Sequence, residues 1–276
     1  MNYTYFPGCT LRNKAKELDR YARVSAEALG FTLTEPENWQ CCGGIFQTAK
    51  DEIASKLPSV RALIAAHDKG EKLVAVCSAC YNVLKQTNHE MRTEPDFALR
   101  VNNYLAQDKT PTAYNGETEV LHYLEVLRDE IGFDELAKKV VKPLAGKKIA
   151  AYYGCLLLRP ANVLGFDDPE NPTILENFIR ALGAEPVSWQ LRNECCGGYI
   201  ALEDAKAAKK RSNAVSDNAV NRGADMIVTA CPLCRYNLIK NGSPIPVVYF
   251  TELLAEALGL KEEAGTIISK KSSFSV

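Results

Sequence analysis

The sequence predicts an α/β protein built from two tandem CCG (Cys-Cys-Gly) repeats of similar αβ units, and three observations point there. Short β-prone runs alternate with stretches of helical period, the pattern of a sheet fed by crossover helices. A cysteine pattern occurs twice: Cys41-Cys42-Gly43-Gly44 precedes Cys77-Ser78-Ala79-Cys80, and Cys195-Cys196-Gly197-Gly198 precedes Cys231-Pro232-Leu233-Cys234. In both copies 34 residues separate the second cysteine of the pair from the Cys-x-x-Cys hook. A further cysteine, Cys9 or Cys155, leads each copy directly after a glycine, so all 10 cysteines fall into two sets of five. Similarity spread over strands, helix ends and cysteines implies duplication of a whole unit.

Taken in order, residues 2–6 are aromatic and β-prone ahead of Pro7-Gly8 and read as a strand that leaves Cys9 on the turn. In residues 14–29, Leu18, Tyr21, Ala22, Val24, Ala26 and Leu29 suit one helical face, and Gly30 stops the helix. Residues 31–33 form a second strand. Gly43 and Gly44 let the backbone come close to a bulky group. The run to His67 reads as helix, bent near Pro58. Residues 73–76 are a compact apolar strand that delivers Cys77 and Cys80 at its end, and residues 81–90 follow as helix. Ligands in open α/β sheets gather at the carboxyl ends of strands, where these cysteines fall.

Residues 95–145 match neither copy and read as helices over 97–106 and 120–131, with Thr110-Pro111-Thr112 in a loop between them. The second copy opens with a strand at 147–153 running into Gly154-Cys155, then a loop at 167–172 and a helix over 174–182 ended by Gly183. Ala28-Leu29-Gly30 matches Ala181-Leu182-Gly183, and Trp39 matches Trp189. Tyr81-Asn82 answers Tyr236-Asn237, one position later relative to its hook. The expected division is a first domain at 1–145 with connecting helices, a second at 146–260, and a C-terminal tail at 261–276.

A chain of 276 residues buries a core without disulfide staples. A formal net charge of −1 argues against a nucleic-acid surface. The N-terminus lacks a basic region followed by an apolar run, and no window approaches the roughly 18 to 20 apolar residues of a membrane span. The expected setting is cytoplasmic and reducing, where cysteines serve as metal ligands or redox groups more than as disulfides. Structural zinc would take four thiolates, commonly as two hooks. Each set here offers one hook, an adjacent pair and a leading cysteine, one ligand too many. Iron-sulfur clusters, which prefer thiolates arriving from separate loops, fit better, although ordinary ferredoxin spacing is absent.

Among the other polar residues, His67, His89 and His122 are candidates for proton delivery or ligation, although each, in a helical run among charged or apolar neighbours, reads more simply as a surface or packed histidine. Tyr81, Asn82, Tyr236 and Asn237 stand close enough to the hooks to donate hydrogen bonds there, or serve simply as helix starts. Trp39 and Trp189 either shield the sites or fill the core. Lys206, Lys209, Lys210 and Arg211 form a solvated helix face or a partner contact.

The doubled pattern, the opening Tyr5-Phe6-Pro7-Gly8-Cys9-Thr10-Leu11 and the late Val247-Val248-Tyr249-Phe250-Thr251-Glu252-Leu253 together resemble the CCG-domain (cysteine-rich domain) family. Within it the resemblance is to the B-type subunits of heterodisulfide reductases, over residues 1–260. The resemblance implies two non-cubane 4Fe-4S clusters, one per motif, at the strand ends and facing the repeat interface across a pseudo-two-fold. Cys9, Cys41, Cys42, Cys77 and Cys80 would hold one, and Cys155, Cys195, Cys196, Cys231 and Cys234 the other. Gly43, Gly44, Gly197 and Gly198 would let backbone N–H groups reach the cluster sulfurs and tune their potential.

The implied activity is reduction of a small-molecule disulfide to two thiols, or the reverse, with one electron from each cluster. The chain has no nucleotide-binding glycine loop and no ferredoxin motif, so the implied electron supply is a ferredoxin-like 4Fe-4S subunit, itself fed by a flavoprotein subunit. The alternative is a non-catalytic electron-relay or anchoring subunit of a quinone-linked dehydrogenase complex.

Overall fold

The computed structural model describes residues 1–44, 53–108 and 113–261. Residues 45–52 of the helical run expected after Gly44, the Thr110-Pro111-Thr112 loop and residues 262–276 of the expected tail lie outside the described residues.

Among the described residues, eight short strands form two parallel sheets. The first holds β1 (Asn2–Phe6), β2 (Thr32–Thr34), β3 (Leu73–Ala75) and β4 (Val120–His122), in the order β2-β1-β3-β4. The second holds β5 (Lys148–Tyr152), β6 (Glu185–Val187), β7 (Met226–Thr229) and β8 (Val247–Tyr249), in the order β6-β5-β7-β8. All six pairings are parallel, and the two orders are the same. Parallel strands require crossovers, which explains the helices between them. The expected α/β fold of two similar tandem units is therefore what the chain adopts.

One element differs from expectation. Residues 120–131 are not one helix: Val120, Leu121 and His122 form a fully buried strand, with Ala75 opposite His122. Three consecutive buried residues suit a strand covered on both faces. Helix starts only at Tyr123, where the His122 ring accepts the Leu124 N–H at 3.2 Å and the Glu125 carboxylate accepts the His122 N–H at 2.7 Å. That capping box satisfies two otherwise orphaned donors and fixes the boundary; a π-helical stretch, Val126–Ile131, follows. Thr229 pairs with Tyr249 as Ala75 pairs with His122. Val120-Leu121-His122-Tyr123-Leu124-Glu125 is thus the first-repeat counterpart of Val247-Val248-Tyr249-Phe250-Thr251-Glu252, and this part of 95–145 does match a copy. Pro58 also differs: it lies in the first turn of the helix Leu57–His67, where a missing N–H costs nothing, and does not bend it.

The two units share a core. Tyr3, Phe31, Tyr123, Phe250 and Phe178 form a relay of ring contacts, with successive centroids 5.8, 5.4, 5.8 and 6.2 Å apart. Such tilted and edge-on pairs add to the burial term. The helix Phe250–Ala257 lies against Lys16–Leu29, and the Thr251 hydroxyl donates to the Leu18 carbonyl at 3.0 Å. Among the described residues no helix is long and apolar enough to cross a membrane.

Candidate functional site

The strand ends place all ten thiols. Cys9 does not sit on a turn: it falls in the short helix Gly8–Asn13, which Pro7 opens directly after β1. Each hook straddles a helix start. Cys77 is the N-cap of Ser78–Thr93 and Cys231 that of Pro232–Lys240, with Cys80 and Cys234 inside the first turn. A helix N-terminus carries partial positive charge and favours a thiolate there.

In the first set the thiols form a chain. Cys9 and Cys41 are 3.4 Å apart at sulfur, Cys42 and Cys80 3.5 Å, with Cys41 hydrogen-bonded to Cys42 and Cys77 to Cys80, all as free thiols. The second set repeats this order as Cys155, Cys195, Cys196, Cys234 and Cys231. In each chain the first cysteine of the adjacent pair is held ionised, and in the second chain the Cys231 thiol is drawn down as well, first by its hydrogen bond with Cys234. Hydrogen bonds from Cys42 and Cys9, with the Gly43 N–H, draw Cys41 down to about 2. Cys155 and Cys196, with the Gly197 N–H, draw Cys195 down to about 2. The partners bear the converse: Cys42 and Cys196 are pushed up to about 12, first by the ionised neighbour.

Glycines make the approach feasible, first at two positions beyond the four expected to serve the clusters. A Cβ on Gly8, at φ +75°, would lie 2.6 Å from the Cys80 sulfur, and one on Gly154, at φ +65°, 3.1 Å from the Cys234 sulfur. Both glycines precede the leading cysteine of their set. The four glycines expected from sequence serve the pairs: Gly43 and Gly197 take positive φ, and the Gly197 N–H donates to the Cys195 sulfur at 3.3 Å. Gly44 supplies its N–H to Cys42, and Gly198 lies close to Cys196.

The donor sets suit a multi-iron cluster in chemistry: each offers five thiols and no carboxylate or imidazole among them. Among the described residues no group of His, Cys, Asp and Glu side chains could hold a single metal ion.

The sets meet where the hooks begin. The Tyr249 hydroxyl, fully buried, lies 2.8 Å from the Val76 carbonyl and 2.9 Å from the Ala230 carbonyl, the residues just before Cys77 and Cys231. Burial pushes its phenol well above the usual range, so it stays protonated. Ser78 adds its N–H at 3.1 Å and its hydroxyl at 2.8 Å to the same Ala230 oxygen. His122 places Nε2 3.0 Å from the Val76 oxygen, and burial draws its pKa down to about 3. The pairs are tied as well, the Tyr199 hydroxyl donating to the Gly44 carbonyl.

Surroundings differ between the sets. A cleft of about 890 Å³ opens beside Cys9, Cys41, Cys42, Cys77 and Cys80, and its far wall is the second repeat's hook helix. Lys14, Arg235 and Lys240 outnumber Glu17 on its lining, and Lys240 Nζ sits 5.6 Å from the Tyr236 ring centroid. Beside Cys155, Cys195, Cys196, Cys231 and Cys234 there is about 10 Å³, closed by Tyr153, Leu156 and Tyr199.

The remaining candidates separate clearly. His67 packs edge-on against Tyr114 at 6.0 Å, and His89 borders a small polar cleft with Lys85 and Arg92, both away from the thiols. Asn237 donates to the Cys196 carbonyl at 2.6 Å, whereas Asn82 crosses to the carbonyls of Leu156 and Arg159 at 2.7 and 2.8 Å. Tyr81 is buried and bonds the Leu164 carbonyl; Tyr236 is exposed on the cleft. Trp39 packs on Phe6, and buried Trp189 donates to the Ala151 carbonyl at 2.9 Å, so both fill space. Arg211 leaves the basic group: it pairs with Glu194 and donates to the Cys195 carbonyl at 3.1 Å, while Lys206, Lys209 and Lys210 stay exposed.

The cysteine-rich (CCG) domain model matches residues 3–85 and 149–239, one match per cysteine set. The chain belongs to the CCG cysteine-rich domain family. Among CCG relatives, the 8-methylmenaquinol:fumarate reductase membrane anchor subunit of Wolinella succinogenes is 33% identical over 94% of this chain and 92% of its own. The B-type subunit of the ferredoxin/F420H2-dependent CoB-CoM heterodisulfide reductase of Methanosarcina acetivorans is 27% identical over 94% of this chain and 89% of its own. A solved structure of a hypothetical protein from Helicobacter pylori superposes with a TM-score of 0.74 at 13% identity, covering 96% of this chain and 50% of that one. That last likeness concerns the fold alone.

Proposed function

We propose that this chain is the sulfur-handling iron-sulfur subunit of a heterodisulfide reductase-type complex, reducing a small-molecule disulfide to two thiols or running the reverse. The observation that carries this is the presence of two complete five-thiol chains joined at their hooks, one of them opening on a cleft large enough for a ligand. Cys9, Cys41, Cys42, Cys77 and Cys80 would hold one non-cubane 4Fe-4S cluster, and Cys155, Cys195, Cys196, Cys231 and Cys234 the other. Bound clusters of this kind supply one electron each, and the balance R–S–S–R′ + 2e⁻ + 2H⁺ → RSH + R′SH uses both.

The chain's own residues set the conditions. Lys14, Arg235 and Lys240 favour a ligand with an anionic arm, Leu233 and Tyr236 receive its apolar body, and the N–H groups of Gly43, Gly44 and Gly197 steady the charge on the paired thiolates. Electrons would come from a ferredoxin-like subunit, itself fed by a flavoprotein subunit, with the complex in the cytoplasm. The division at 145/146, with a tail from 261, stands as part of the same reading.

Identity to a membrane anchor subunit at 33% supports a second reading, an electron-relay or anchoring subunit without thiol chemistry of its own. Anaerobic purification followed by electron paramagnetic resonance separates the two. The proposal predicts about eight iron per chain, four per cluster, and a cluster signal that changes when candidate thiols meet the oxidised protein. Signals indifferent to every thiol, in a chain that still passes electrons to a quinone analogue, favour the relay.

A further inference from the structure

We infer that Tyr249 is a positioning residue whose single phenolic proton is shared between the two hooks and couples the charge of one cysteine set to that of the other. The inference rests on the two-cluster reading above. Its ground is an accounting of donors and acceptors at one buried point. The Val76 and Ala230 carbonyls offer two lone pairs each. Four hydrogens face them: His122 Nε2–H, the Tyr249 O–H, and the N–H and O–H of Ser78. His122 Nδ1 already accepts from Leu124, which leaves the Nε2 proton for Val76.

Ser78 can fill both lone pairs of Ala230 by itself. The Tyr249 proton then rests on Val76, with the Ala230 oxygen at nearly the same distance, 2.9 against 2.8 Å, as its second acceptor. Each carbonyl belongs to the peptide whose N–H is that of the following hook cysteine, Cys77 or Cys231. A proton donated to the carbonyl polarises that peptide and makes its N–H end more positive, which favours negative charge on the adjoining set. Added charge at one set draws the Tyr249 proton towards it and away from the other. Reducing the first set therefore disfavours reducing the second, beyond their direct repulsion. The repeats are unequal here, because the position equivalent to Tyr249 holds His122, whose ring bonds only the Val76 side.

The test is anaerobic redox titration of the cluster-loaded chain, followed by electron paramagnetic resonance, on wild type, Tyr249→Phe, Ser78→Ala and the double variant. Tyr249→Phe is expected to change the ratio of first- to second-cluster reduction by about fivefold, the worth of one ordinary hydrogen bond. Ser78→Ala frees an Ala230 lone pair for the Tyr249 proton and shifts the ratio in its own right. Once Tyr249→Phe is in place the Ser78→Ala shift should shrink, because the competition is gone; a merely structural role gives additive shifts. Two intact clusters with an unchanged ratio, or with additive shifts, overturn the inference alone. If Tyr249→Phe does not fold, an unchanged ratio in Ser78→Ala overturns it. A wild-type chain lacking two clusters overturns the functional reading and this inference with it.

Discussion

The two cysteine sets are built to one plan and placed in different surroundings. Each has a leading cysteine after a positive-φ glycine, a Cys-Cys pair braced by glycine N–H groups, and a hook at a helix start after a parallel strand. The first exposes Cys41 and borders the wide cleft; in the second Cys195 is half-buried and Tyr199 and Leu156 close the space. Duplication preserved the coordination chemistry, while the loop chemistry around each copy diverged: Tyr199 follows the second glycine pair where Ile45 follows the first. The first set thus borders open space and the second is the better shielded one.

The largest expected effect tests the shared plan. Cys42→Ser and Cys196→Ser should each remove one cluster and leave the other, so iron per chain falls from about eight to about four in either variant. Chemical iron and sulfide analysis reads this, and loss of all iron from one variant would break the symmetry of the account.

Next come the leading glycines. A side chain at Gly8 meets the Cys80 sulfur at 2.6 Å, and one at Gly154 meets Cys234 at 3.1 Å. Gly8→Ala should cost about 3 kcal/mol in chain stability, combining positive-φ strain with overpacking, and Gly154→Ala about 1 to 2 kcal/mol. Denaturant titration of the two variants compares them directly; equal costs would mean that the tighter approach at Gly8 is relieved by movement.

Smaller again is the tie between the pairs. Tyr199→Phe removes the bond to the Gly44 carbonyl at a cost of about 1 kcal/mol, and Tyr199→Ala should also speed alkylation of Cys195 in the iron-free chain. Cys41, already exposed, should alkylate at the same rate in both.

The smallest effect near neutral pH comes from His122, whose counterpart Tyr249 does not titrate there. Its folded pKa is drawn down to about 3 by burial, below the ordinary 6.5. The unfolded chain binds a proton the folded chain refuses, so stability falls as pH drops from about 6.5 towards 3, by about 1.4 kcal/mol per pH unit from this one group. His122→Gln should flatten the acid limb of the stability curve by that slope, measured on the iron-free chain by denaturant titration.

Much of this was legible in the sequence because cysteines and glycines mark their own geometry. The doubled pattern located both thiol sets, and the apolar run ending at Cys77 announced a strand end. Val120–His122 was harder: two apolar residues and a histidine ahead of a helix carry no period of their own, and only the alignment of Val-Leu-His-Tyr-Leu-Glu with Val-Val-Tyr-Phe-Thr-Glu separates strand from helix. Pro58 looked like a kink because its place in the first turn depends on where the helix begins. Gly8 and Gly154 carried a signal, a glycine before each leading cysteine, but the atom each must avoid lies on a hook about 70 to 80 residues away. Tyr249 and Ser78 had none, since their partners are backbone carbonyls brought together by the packing of the two repeats.

The central claim is that the two sets act as a pair on one disulfide, and single-turnover reduction tests it most directly. The cluster-loaded chain, reduced anaerobically and freed of reductant, is mixed with excess disulfide, and free thiol is counted per chain. The account predicts two thiols released per chain with both clusters reoxidised, and no multiple release from the single-cluster Cys196→Ser variant. Reoxidation by a quinone analogue with no thiol released from any disulfide would contradict it.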